Sequence, residues 1–161
     1  MKLSTFIKIF YNHRLKKTSN IFKKVYIFTI IPFAYLMEKI KYQKLIDLDE
    51  YQITNKGLFD KNLNYLFKYF NSDKGHEFIN QYARYSKRKN KLIKGHNYTF
   101  FYEKFFKKIK NNKLIIFEIG SFKGNGTASF FFYFKNSKIY TADLYPDLFC
   151  YKSKRIKSFK I

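Results

Sequence analysis

Residues 113–143 constrain this chain more than any other stretch. Lys113 to Ile119 reads K-L-I-I-F-E-I, a continuous apolar run of the kind that forms a strand buried on both faces. It runs into Gly120-Ser121-Phe122-Lys123-Gly124-Asn125-Gly126-Thr127, and then into apolar residues from Ala128 to Phe134, enough to start a helix. Asn136-Ser137 is a short break, and Lys138 to Ala142 reads as a second strand tipped by Asp143. Strand, glycine bend, helix, strand and acid in that order predict a right-handed βαβ unit, because parallel neighbours require a crossover.

Each part of that unit has a chemical use. The bend falls at the carboxyl end of the first strand, where open parallel sheets bind ligands. Gly120 and Gly124 let the backbone turn tightly and bring its N–H groups to a ligand. Those groups, with the helix N-terminus behind them, favour a carboxylate or another anion. Asp143 can accept both hydroxyls of a ribose. Each residue also has a plainer use: Glu118 as a strand-end acid, Asp143 as a turn residue before Pro146, the glycines as an ordinary strand-to-helix turn.

Spacing discriminates among cofactors. The dinucleotide fingerprint is G-x-G-x-x-G, whereas this chain has G-x-x-x-G-x-G with Phe122 at the second fingerprint glycine. A P-loop is excluded because no G-K-[ST] follows Gly124 or Gly126. Glu118, two residues before Gly120, completes E-x-G-x-x-x-G. At these residues the chain resembles class I S-adenosylmethionine-dependent methyltransferases, and within them sugar O-methyltransferases of the macrocin and mycinamicin type and their relatives in bacterial glycan synthesis. The likeness extends upstream to Ser72-Asp73-Lys74-Gly75, to His96-Asn97-Tyr98-Thr99 and to Tyr102-Glu103, and downstream to Arg155-Ile156.

The resemblance implies an α/β fold: the first βαβ unit of a Rossmann-like methyltransferase domain, preceded by a helical N-terminal region. It implies S-adenosyl-L-methionine as cofactor and a glycan or small-molecule hydroxyl as acceptor. Glu118, Gly120 and Ser121 would line the cofactor's methionine part, Gly124 would belong to the same cofactor site, Asp143 would hold its ribose, and Tyr98 or Thr99 would close over its amino-acid end. Asp73, Lys74 and His96 would complete that wall. Residues for adenine, a general base and a metal lie in later strands of such domains, so the expectation is a truncated chain of weak or no activity, with a bare edge on its first strand. Asp73-Lys74 also reads as a solvated turn pair, and His96 as a surface histidine.

Elsewhere the periodicity predicts a helix over Asn62–Phe70, with Leu63, Leu66, Phe67 and Phe70 on one face, and a stop at Asn71–Gly75. Thr99–Ile109 predicts another, with Phe101, Phe105, Phe106 and Ile109 inward and Tyr102 also in the core. Residues 42–62 read as a connector with a short extended piece around Tyr51–Thr54, and residues 83–97 as polar and basic. The expected organisation is a basic helical region (1–61), a lead-in carrying the S-D-K-G and H-N-Y-T motifs (62–112) and the βαβ part (113–161).

The net charge is +22, which invites an anionic partner. Yet arginine occurs only at positions 14, 84, 88 and 155, and readers of nucleic acid lean on arginine. The Lys, Asn, Ile, Phe and Tyr excess is what an AT-rich coding sequence produces, so no nucleic-acid partner is expected, and a basic, non-enzymatic protein associated with membrane or nucleic acid is the alternative reading. One cysteine, Cys150, excludes an internal disulfide, and three histidines without ligand spacing argue against zinc. Val25–Met37 is uncharged but interrupted by Pro32 and too short to span a bilayer. Two readings stay open for residues 21–41: a buried helix, or a segment in the membrane interface flanked by lysines. The expected location is the cytoplasm, with that segment as the peripheral contact; a cleaved signal peptide fits poorly.

Overall fold

A computed structural model of the chain describes residues 2–41, 45–79 and 91–161. It separates into two units, Met1–Leu45 and Ile46–Ile161. The first unit is helical. Helix α1 (Leu3–Phe10) continues through a π turn (Tyr11–Leu15), and α2 (Ile21–Lys41) follows. Phe6, Phe10, Ile27 and Ala34 are its buried apolar side chains, with Leu15, Ile30, Ile31 and Tyr35 packed against them. Helix α2 runs through Pro32, which has no N–H to give the Phe28 carbonyl.

The second unit is mixed α/β. Strand β1 (Ile46–Asp47) leads into α3 (Leu48–Thr54), a 3₁₀ turn (Lys56–Asp60) and α4 (Leu63–Tyr69). The extended piece expected at Tyr51–Thr54 is helical instead. Asp47 decides this: its carboxylate accepts the N–H groups of Asp49 at 2.9 Å and Glu50 at 3.3 Å, and the acids of that first turn suit the helix dipole. Helix α4 starts as expected, capped by Asn62, whose side chain accepts the Tyr65 N–H at 2.8 Å. Strands β2 (Glu77–Ile79) and β3 (Leu92–Lys94) pair antiparallel. Of the basic stretch expected at 83–97, residues 83–90, with Arg84 and Arg88, lie outside the described residues.

Helix α5 (Thr99–Phe106) turns Tyr102 and Phe106 inward as expected but not Phe101 and Phe105. Thr99 is buried and Tyr102 and Phe106 pack on the core, while Phe101 and Phe105 are 65% and 57% exposed. Offsets of three and four connect both stripes equally well in sequence. Docking on α4 selects the one holding Thr99, Tyr102 and Phe106.

Strand β4 (Ile115–Ile119), α6 (Asn125–Tyr133) and β5 (Lys138–Asp143) form the expected crossover, with Ile115 opposite Lys138 and Ile119 opposite Ala142 in parallel register. The chain then makes β6 (Tyr151–Lys152), parallel to β1, and β7 (Ile156–Lys160), parallel to β5. The sheet order is β4-β5-β7, so β4 is an edge among the described residues. It is not buried on both faces as its composition predicts. Ile116 and Glu118 face the helices, while Ile115, Phe117 and Ile119 are 77%, 60% and 70% exposed. The apolar composition suits two covered faces; one is covered here.

The core is built around α6. Every residue from Gly126 to Tyr133 is buried, and a helix apolar on all sides is an interior helix. Phe131, Phe132 and Phe134 meet Leu48, Leu58, Leu66, Phe70 and Ile139, each large side chain contributing about 1.5–3 kcal/mol by leaving water. Arg155 closes the C-terminal end of α6: its guanidinium donates to the carbonyls of Phe131 (3.0 Å), Phe134 (3.0 Å) and Ser137 (3.2 Å) and lies 3.7 Å over the Phe131 ring. This ordered core fixes α6, and with it the loop at its N-terminus.

Candidate functional site

The bend after β4 is a series of left-handed residues. Gly120 has φ +76° and Gly124 φ +84°, and Phe122 between them has φ +48°, a conformation bulky residues rarely take. Asp143 holds Phe122 there: its Oδ2 accepts the Phe122 N–H at 2.7 Å, and its Oδ1 accepts the Tyr145 N–H at 2.8 Å. Gly120 continues the ladder by donating to the Ala142 carbonyl at 2.8 Å. A side chain at Gly120 would meet nothing within 4 Å, so the space beside it is open, whereas one at Gly124 would strike the Phe149 ring at 2.5 Å.

Two motifs far apart in sequence are zipped together beside this bend. His96, Asn97 and Tyr98 donate their N–H groups to the carbonyls of Asp73 (2.7 Å), Gly75 (3.0 Å) and Lys74 (2.9 Å). The approach is so close that a methyl on Gly95 would sit 2.2 Å from the Gly75 oxygen. Asn125, the first residue of α6, donates through its side chain to the Asn71 carbonyl at 3.0 Å, tying the same turn to the glycine bend.

Asp73, Lys74, His96, Tyr98, Gly120 and Ser121 thereby share the wall of one cavity of about 190 Å³, which Lys123 also lines. The His96 ring stacks on Tyr98 with centroids 5.2 Å apart, and its Nε2 stands 3.8 Å from Asp73 Oδ2. The other four candidate residues lie around the cavity rather than in its wall. Gly124 is packed under Phe149, and Asp143 acts on the bend from behind. Thr99 is buried at the start of α5 and faces a broader hollow with Glu103 and Tyr133. Glu118 is turned inward: Thr127 donates its hydroxyl to Oε2, and Lys74 Nζ lies 2.9 Å from Oε1.

Burial opposes the charge on Lys74, but the Glu118 carboxylate outweighs it, and the ammonium pKa is raised. Burial also pushes the Cys150 thiol up, against the pull of Lys123, so this cysteine is a poor nucleophile at neutral pH. Among the described residues no three His, Cys, Asp or Glu side chains gather to hold a metal. Gly126, the third glycine of the bend, is needed for space: a side chain there would lie 2.6 Å from Glu118 Oε1 and 3.1 Å from Lys74 Nζ. Thr127 and Gly95 carry no functional signal in the sequence; the only hint at Gly95 is its place beside His96.

No family model matches the chain, and no curated protein or solved structure matches it.

Proposed function

We propose that the second unit carries part of an S-adenosylmethionine site of a Rossmann-like methyltransferase, acting on a hydroxyl of a glycan or small molecule. One observation carries this: the strand–bend–helix unit and the two zipped upstream motifs converge on a single cavity at the carboxyl end of β4. The cavity has a mixed polar wall suited to an amino-acid group. Asp73 can take an ammonium, while Lys123 and the N–H groups opening α6 suit a carboxylate. Tyr98, stacked on His96, forms a flat side to it.

The fit extends to one end of the cofactor. At about 190 Å³, the cavity is below the roughly 300–1,000 Å³ of sites that enclose a whole small molecule. Asp143 already accepts two backbone N–H groups, so a ribose would use its remaining lone pairs. When bound, the cofactor supplies an electrophilic methyl group on a sulfonium. The contribution of this chain is to grip the amino-acid end and to fix its direction through a rigid bend.

Equilibrium dialysis with radiolabelled S-adenosylmethionine tests the proposal. Saturable binding that weakens about tenfold or more in Tyr98→Ala and in Asp143→Ala is expected. Absence of binding by the folded chain, or binding indifferent to both substitutions, refutes it.

A further inference from the structure

The first unit has too little core for its apolar content. Seven basic residues and no acidic one precede Glu38. In α2, Phe22, Val25, Thr29, Phe33 and Leu36 follow one another at offsets of three and four, which places them on one stripe. That stripe is turned away from Ile27 and Ala34. Its exposures are 84% for Phe22, 59% for Val25, 73% for Phe33 and 55% for Leu36. Its one hydroxyl, on Thr29, donates to the Tyr26 carbonyl at 2.8 Å, so no polar side chain on the stripe needs water. Helix α2 thus buries one face, through Ile27 and Ala34, and leaves this stripe uncovered within the unit.

We infer that this helical pair lies flat on an anionic lipid bilayer, with the outer stripe of α2 sunk among the acyl chains and Lys16, Lys17, Lys23 and Lys24 at the headgroups. Three observations select that occupant. From Phe22 to Leu36 the stripe carries no charge and one hydroxyl, as an interfacial helix requires. The charge from Lys2 to Met37 is of one sign, complementary to anionic headgroups, and a second copy of a +22 chain is repelled. The length suits lying and not crossing: the uncharged run Val25–Met37 covers about 20 Å as helix, against roughly 30 Å of hydrocarbon. Consistently, no described helix is long and apolar enough to cross a membrane.

The test is co-sedimentation of the full chain with phosphatidylcholine vesicles, with and without about one-third phosphatidylglycerol, at low and high salt. Binding to the anionic vesicles is expected, at least about tenfold tighter than to the neutral ones and weakened by salt. Phe22→Ser with Phe33→Ser removes exposed rings and no core contact; it should cut binding about tenfold or more while leaving the far-ultraviolet spectrum intact. Lys23→Glu with Lys24→Glu should do the same, and Lys104→Glu with Lys107→Glu, in the other unit, should leave most of the binding. The chain has no tryptophan, so Phe33→Trp provides a single reporter whose emission should shift to the blue on anionic vesicles alone. Equal binding to both vesicle types overturns the inference. So does binding insensitive to the phenylalanine pair, or a lipid-free dimer that those serines dissociate.

Discussion

Lys74 Nζ and Glu118 Oε1 stand 2.9 Å apart, with the carboxylate side chain 4% exposed and the lysine 17%. The contact is an ion pair, and the carboxylate holds the lysine in its charged form against burial. It joins the Ser72–Gly75 turn to β4 across Gly126 and thereby sets one side of the cavity.

Removing both partners should cost less than the sum of removing each. Lys74→Met leaves a carboxylate enclosed without its counter-charge, which costs about 3–5 kcal/mol. Glu118→Gln keeps an acceptor for Thr127 and should cost less. The double variant should fall short of the summed single losses by about 1–3 kcal/mol. Urea unfolding of all four chains measures this, and additive losses would sink the coupling.

Stability should fall in alkali. The Lys74 pKa is raised above its ordinary 10.5, so its contribution is full below that value and lost as pH rises through the higher folded one. Burial pushes the Tyr151 phenol to about 12, so the unfolded chain releases that proton first, from about pH 10. Both effects have the same sign. The urea midpoint should hold steady to about pH 9 and decline above about pH 10, with a shallower decline in Tyr151→Phe. A midpoint that rises over that interval would contradict both assignments.

Two glycines should respond differently to alanine. Gly95→Ala forces a methyl against the backbone oxygens of Gly75 and Asp73 at 2.2 and 2.7 Å, and backbone cannot swing aside as a side chain can. A loss of about 3 kcal/mol or more is expected. Gly120→Ala meets open space and bears only its positive φ, costing about 1–2 kcal/mol. Comparable denaturation midpoints for the two variants would show that the zipped motifs yield.

Arg155→Lys should destabilise by about 1–3 kcal/mol despite keeping the charge. The planar guanidinium serves three carbonyls and covers a ring, and a single ammonium cannot reproduce that fork. The Tm of this variant should fall more than that of Lys154→Arg, whose neighbouring side chain is exposed; equal values would remove Arg155 from its place at the end of α6.

The crossover from β4 through α6 to β5 was legible because its signals are local. Apolar runs, two glycines and a break at Asn136-Ser137 each act within a few residues. The apolar offsets of Leu63, Leu66, Phe67 and Phe70 announce α4 for the same reason. Asp47 carries an equally local capping signal, and it outweighs the extended tendency of Tyr51–Thr54.

Composition and short-range pattern thus determined, without any coordinates, that this chain builds a parallel βαβ unit behind a basic, apolar N-terminal segment. Tertiary structure decided which stripe of α5 faces inward, that β4 shows Ile115, Phe117 and Ile119 to solvent, and that Asp73, Lys74, His96 and Tyr98 meet Gly120 and Ser121. Periodicity reports that a residue has a side, but only the neighbouring element decides whether that side is covered. Charge pairs such as Lys74 and Glu118 depend on distances through space that no spacing along the chain encodes.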